Sequence, residues 1–228
     1  MRSSFPPGFL AFFFLILLLV LMPFLFVNIF FSALGKLGLT PVQSLFVVIG
    51  IFLGSTINIP VKRYQRDEAV ETSRRTMYGL GRSFFIDLGR PQTVVLAVNV
   101  GGCIIPSCIA ILQVYRLTQT GGNALLFCGI ATLINIIVCQ IFARPVENLG
   151  IVMPTFIPAL AAVASALILT PNHAPAVAFV SGVMGPLVGA DLLHLQDIKK
   201  MNTRVASIGG AGTFDGIVIS AMLATLLA

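Results

Sequence analysis

Seven apolar stretches of about twenty residues dominate this chain, at approximately 8–31, 41–60, 93–114, 123–142, 150–169, 175–195 and 206–227. Each is near the length of helix that crosses a hydrocarbon layer of about 30 Å. Backbone polar groups in lipid find no water, so only helices and closed barrels can span it. A barrel strand alternates apolar and polar residues, and these stretches do not. The sequence therefore predicts an all-α fold, a polytopic membrane helical bundle with about seven transmembrane helices. Only 10% of the 228 residues are charged, against about 25% in a soluble domain. A soluble core cannot absorb that apolar excess, and a lipid bilayer can.

The stretch from Gly8 to Phe31 is too long and too rich in phenylalanine for a cleaved signal peptide, whose apolar region covers about 7–15 residues. It reads as a retained span, kinked at Pro23. The longest polar segment, 61–92, reads as a cytoplasmic amphipathic loop. Within it, Tyr64 to Tyr78 predicts a short helix near the headgroups, with Glu71 and Arg75 at ion-pair spacing and Gly79 and Gly81 ending it. No internal repeat or low-complexity linker divides the chain, so residues 1–228 form one transmembrane domain.

Lysine and arginine set the orientation. Numbering the polar segments alternately, one side holds Arg2, Lys62, Arg63, Arg66, Arg74, Arg75, Arg82, Arg90, Arg144, Lys199, Lys200 and Arg204, and the other holds Lys36 and Arg116. The positive-inside rule places the first set in the cytoplasm, with the N-terminus inside and the C-terminus outside a cytoplasmic (inner) membrane. The same distribution, short basic loops between apolar stretches, argues against nucleic acid as the partner for a net charge of +6. Cys103, Cys108, Cys128 and Cys139 all lie in apolar stretches and form no C-x-x-C pair, so they read as small packing residues.

Of the eight acidic residues, Asp191 and Asp215 fall inside apolar stretches. A carboxylate at the membrane centre costs roughly 2.5–3.5 kcal/mol on insertion scales, so it marks a functional site by default. A short loop joins the two spans, which makes them neighbours. Two close carboxylates share a proton, one acting as base toward water and the other as acid toward a carbonyl or leaving amine. Gly209, Gly210, Gly212 and Gly216 near Asp215 remove side chains and let another backbone approach.

Gly-Ala-Gly-Thr-Phe-Asp-Gly at 210–216 resembles the Gly-x-Gly-Asp element of presenilin-type and prepilin-peptidase-type intramembrane aspartyl proteases. The resemblance implies Asp191 and Asp215 as a catalytic pair, with Gly210, Gly212 and Gly216 in support. Pro158-Ala159-Leu160 matches that family's Pro-Ala-Leu element in letters but precedes both aspartates here. Thr213 and Phe214 intervene before the second aspartate, and Ala190-Asp191 stands where Tyr-Asp is usual. Taken whole, the chain looks like an uncharacterised prokaryotic family of small membrane proteins, which implies no activity.

His194 follows Asp191 on the same helical face. No further His or Cys completes a ligand set, so neither metal nor cofactor is expected. Asn99, in Val-Asn-Val-Gly-Gly at 98–102, either contacts the carboxylates or bonds across helices. The sequence favours an aspartyl peptidase acting on a single-span membrane peptide. The alternative is a proton- or cation-coupled transporter or channel using the same two aspartates in discontinuous helices.

Overall fold

The computed structural model describes residues 7–65, 74–79, 82–87, 93–146, 150–197, 205–210 and 216–228. Helices predominate. They are α1 (Pro7–Lys36), α2 (Pro41–Ser55), α3 (Ile105–Gln119), α4 (Ala124–Phe142), α5 (Phe156–Leu169), α6 (Ala174–Met184) and α7 (Gly216–Leu227). Two π-helical segments adjoin them: Val100–Ile104 leads into α3, and Gly185–Leu192 prolongs α6.

Four helical stretches are long and apolar enough to cross a membrane: Phe12–Lys36, Val100–Gln119, Ala124–Phe142 and Pro171–Leu192. The helices α2, α5 and α7 are apolar but shorter. These spans mark an integral membrane protein. Among the described residues four helices, not the expected seven, reach that length, and several apolar stretches divide between a strand and a helix.

The largest correction concerns strands. β1 (Asn58–Gln65), β4 (Thr93–Asn99) and β7 (Val205–Ile208) form a sheet in the order β1-β4-β7, with β1 antiparallel and β7 parallel to the central β4. β2 (Arg74–Gly79) and β3 (Arg82–Asp87) make an antiparallel hairpin, as do β5 (Arg144–Val146) and β6 (Gly150–Val152). The start of the third apolar stretch is thus the strand β4. A strand covered on both faces is apolar without alternation, and a short apolar run of this kind cannot be told from helix by periodicity.

At both described ends of the amphipathic helix expected between Tyr64 and Tyr78 the chain is strand instead; residues 66–73 lie outside the described residues. Tyr64 lies in β1, which ends at Gln65, and Arg75 lies in β2; Glu71, the expected helical partner of Arg75, lies outside the described residues. Gly79 pairs with Arg82, leaving two residues to connect the strands, the length of a tight hairpin. Gly79 ends the strand β2 rather than a helix, and Gly81 lies outside the described residues.

Local chemistry accounts for the other boundaries. Thr40 accepts from the Gln43 amide while the Gln43 side chain accepts from the Thr40 amide, and Pro41 occupies the first turn of α2. α1 is continuous as helix through Pro23. Phe46, Ile111, Ile141 and Ile168 are each at least 68% exposed, a lipid-facing surface rather than a water-facing one. The interior is built from small residues, among them Ala33, Ala131, Ala159, Ala162, Ala166, Ala178, Ala221 and Ala224, all fully buried. Lipid is as apolar as a protein core, so close backbone approach rather than hydrophobicity holds such helices together.

Candidate functional site around Asp191

Asp191 sits near the end of the π-helical segment Gly185–Leu192. The backbone N–H of Gly209, just past the end of β7, donates to its Oδ2 at 3.0 Å. A charge-assisted bond of this kind is worth about 1.5–3 kcal/mol and offsets part of the cost of taking the carboxylate into an apolar setting. Gly209 is confined in two ways. Its φ is +82°, and a Cβ there would lie 2.7 Å from the Cys103 nitrogen and 2.8 Å from the Gly102 carbonyl carbon. No other residue type fits both the dihedral and the space.

That contact joins two like-built elements. β4 and β7 are parallel, with Val98 opposite Ile208, and each runs into glycines: Gly101-Gly102 after β4, Gly209-Gly210 after β7. A polar lattice braces the pair. Asn99 is buried; its Nδ2 donates to the Ser55 carbonyl at 2.7 Å and to Asn58 Oδ1 at 3.1 Å, and its Oδ1 accepts from the Gly102 amide at 2.8 Å. Ser207 donates to the same Asn58 Oδ1 at 2.6 Å. Asn58 thus ties the two outer strands across the central one. Among the described residues Asn99 bonds between elements, to Ser55, Asn58 and Gly102.

The π segment has its own supports. Pro186 lacks an N–H, so the Gly182 carbonyl loses the partner an α-helix would give it. Ser220 Oγ of α7 donates to that carbonyl at 2.7 Å. One residue earlier, Asn135 Nδ2 of α4 donates to the Ser181 carbonyl at 2.8 Å. A Cβ on Gly182 would stand 2.8 Å from the Ala221 Cα, and one on Gly189 2.3 Å from the Ile136 carbonyl oxygen. The span is therefore held by both α4 and α7 where it changes register.

The remaining predicted residues divide. Gly210 follows Gly209 at the sheet end with φ +83°. Gly216 opens α7, and a Cβ there would meet the Thr155 side chain at 3.9 Å, which brings the start of α5 beside it. In that part of α5 Pro158 and Ala159 are buried, while Leu160 is exposed. His194 Nδ1 lies 3.0 Å from the Ala190 carbonyl, a bond within its own segment. Asp215 and Gly212 lie outside the described residues. Among the described residues no group of three or more His, Cys, Asp or Glu side chains stands at metal-binding distance.

Sequence reasoning missed Asn58, Asn135, Ser207 and Ser220. Asn135 carried a readable signal, a lone amide within Leu-Ile-Asn-Ile-Ile. Ser220 had one only jointly with Pro186, since a proline inside a span leaves a carbonyl for something else to satisfy.

The model of a family described as "Protein of unknown function (DUF1614)" matches residues 52–227. No curated protein and no solved structure matches the chain.

Proposed function

Since the chain belongs to the DUF1614 family, whose description carries no activity, we propose from its geometry that it is an intramembrane aspartyl peptidase using Asp191 and Asp215 as its acid–base pair. The observation that carries this reading is the bond from the Gly209 amide to Asp191 Oδ2. It ties the segment bearing one aspartate to the glycine run that leads, six residues on, to the other. Packing supports the same pairing. Gly182 abuts Ala221, so along the two helices Asp191 and Gly216 lie roughly 13 Å and 8 Å from that contact, on the same side of it. Asp215 precedes Gly216 in the chain and lies outside the described residues.

In the proposed chemistry the ionised member of the pair takes a proton from water, whose oxygen attacks the scissile carbonyl. The protonated member then gives its proton to the departing amine. The substrate backbone must be extended to reach such a pair. β7 ends two residues before Gly210, and among the described residues no strand pairs with its outer edge. Such an edge can accept an extended peptide.

A specific feature favours the second reading, a proton- or cation-coupled transporter: the sixth span changes from α to π register at Gly185 and carries a carboxylate, Asp191, within the π segment. One experiment separates the two. The purified protein is reconstituted with a library of single-span peptides, and cleavage and ion flux are followed together. Cleavage without flux is the expected result; flux without cleavage across a broad library would replace the peptidase with the transporter.

The proposed setting is a cytoplasmic membrane, with the N-terminus and the sheet inside and the C-terminus outside. β1, β4 and β7 meet in one sheet, so the segments flanking α2, α3, α6 and α7 share a side, the side that holds twelve of the fourteen basic residues. Reporter fusions after Arg75 and Arg204 are expected to read as cytoplasmic, and one after Ala228 as external. A cytoplasmic reading at Ala228 would overturn this orientation.

A further inference from the structure

We infer that Pro186 is a positioning residue, which holds the end of the sixth span in π register and so aims Asp191 at Gly209; the inference rests on the peptidase reading only for its consequence on turnover. The geometry is local. The Gly185 amide still bonds four residues back, to Ser181, as in an α-helix. By Leu193 the amide bonds five residues back, to Val188, at 3.0 Å. The change of register begins at Pro186, the position that has no N–H to give the Gly182 carbonyl.

Ser220 occupies that carbonyl instead. With the carbonyl satisfied from α7, the span continues in the wider register at no cost in an unmade bond. A π turn takes about 4.4 residues against 3.6 in an α turn, so six residues from Gly185 to Asp191 in α register would rotate the carboxylate by roughly 110°. At that angle Oδ2 no longer meets the Gly209 amide. The site exists only in the π register, and a single missing proton donor selects it. Asn135, bonded to the Ser181 carbonyl, and Gly182, pressed on Ala221, fix the α-helical part below, so all of the turning falls on the segment that carries Asp191.

Pro186→Ala restores the amide and lets the α register run on. Two readouts follow it. In the peptide-cleavage assay kcat is expected to fall at least tenfold with KM within twofold, since the substrate-binding surface is untouched. The second readout needs no activity. In a protein whose four cysteines are replaced by alanine, Asp191→Cys is labelled with a water-soluble maleimide in detergent micelles. Labelling is expected to be at least tenfold slower when Pro186→Ala is added, with the melting temperature unchanged or raised.

Equal labelling rates would overturn the inference, whatever the cleavage rate does. So would loss of folding in both Pro186→Ala and Pro186→Gly, which would make the proline a requirement for folding instead. Slowed labelling in a protein whose parent cleaves nothing would leave the register inference standing and sink the peptidase reading.

Discussion

Asp191→Asn and Asp215→Asn are each expected to lower the rate of peptide cleavage by about a thousandfold or more, with the double variant no slower than either single one. Members of a catalytic unit that share a proton fail together, so their losses do not add. The asparagine variant is chosen because of the bond at Gly209. An amide oxygen accepts from the Gly209 N–H as a carboxylate does, so Asp191→Asn keeps the brace between the π segment and the sheet and removes only the acid–base chemistry. Melting temperatures within a few degrees of the parent are therefore expected. A hydroxyl-bearing mimic of the tetrahedral intermediate should raise the melting temperature of the parent and of neither variant. If Asp191 served only to hold Gly209 in place, Asp191→Asn would retain full activity, and that result would end the paired-carboxylate reading.

The second large effect is on folding. Gly101→Ala is expected to abolish the folded state or cost about 3 kcal/mol or more, because overpacking against backbone leaves nothing flexible to move. The added Cβ would stand 2.1 Å from the Ile51 carbonyl oxygen and 2.4 Å from the Ser55 nitrogen. The same contact holds the last turn of α2 against the π turn before α3, where Asn99 bonds both. Gly129→Ala is the control: a Cβ there meets nothing within 4 Å, and removing a helical glycine gains a few tenths to about 1 kcal/mol. Yield of monodisperse protein and thermal melting in micelles measure both. Equal stability of the two variants would contradict the close approach at Gly101.

The membrane character and the approximate places of the helices were legible in the sequence, because lipid imposes length and composition on a span irrespective of its neighbours. What did not show was the sheet. Val94, Val95, Leu96 and Val98 read as the start of a span, and Ala206 to Ile208 as the start of another. The first is rich in β-branched residues, but the partner of each lies far along the chain, and pairing between distant segments leaves no local periodicity. Asp191 stood out as a carboxylate in an apolar run, and Gly209 as one glycine among several. Their bond was invisible for the same reason: it is set by the return of β7 alongside β4, a tertiary fact. At the described ends of the segment 64–78, strand where a helix was expected, the cause was the opposite. Charge spacing suggested a helical face, and strand pairing between β2 and β3 overrode that weak local preference.

The parallel pairing of β4 with β7 also sets a timetable. Val98 and Ile208 are partners, yet about 110 residues separate them in synthesis, a delay of roughly 6–20 seconds at ordinary ribosomal rates. During that interval α2 and α3 can already be inserted, while the central strand has no partner on one side. Asp191 is made 18 residues before the amide that holds it, and that amide, from Gly209, follows directly on the last strand to emerge. A nascent or truncated chain ending before Val205 thus carries Asp191 without its brace and lacks Asp215 altogether, so the proposed site would be complete only once the remainder of the protein is in the bilayer.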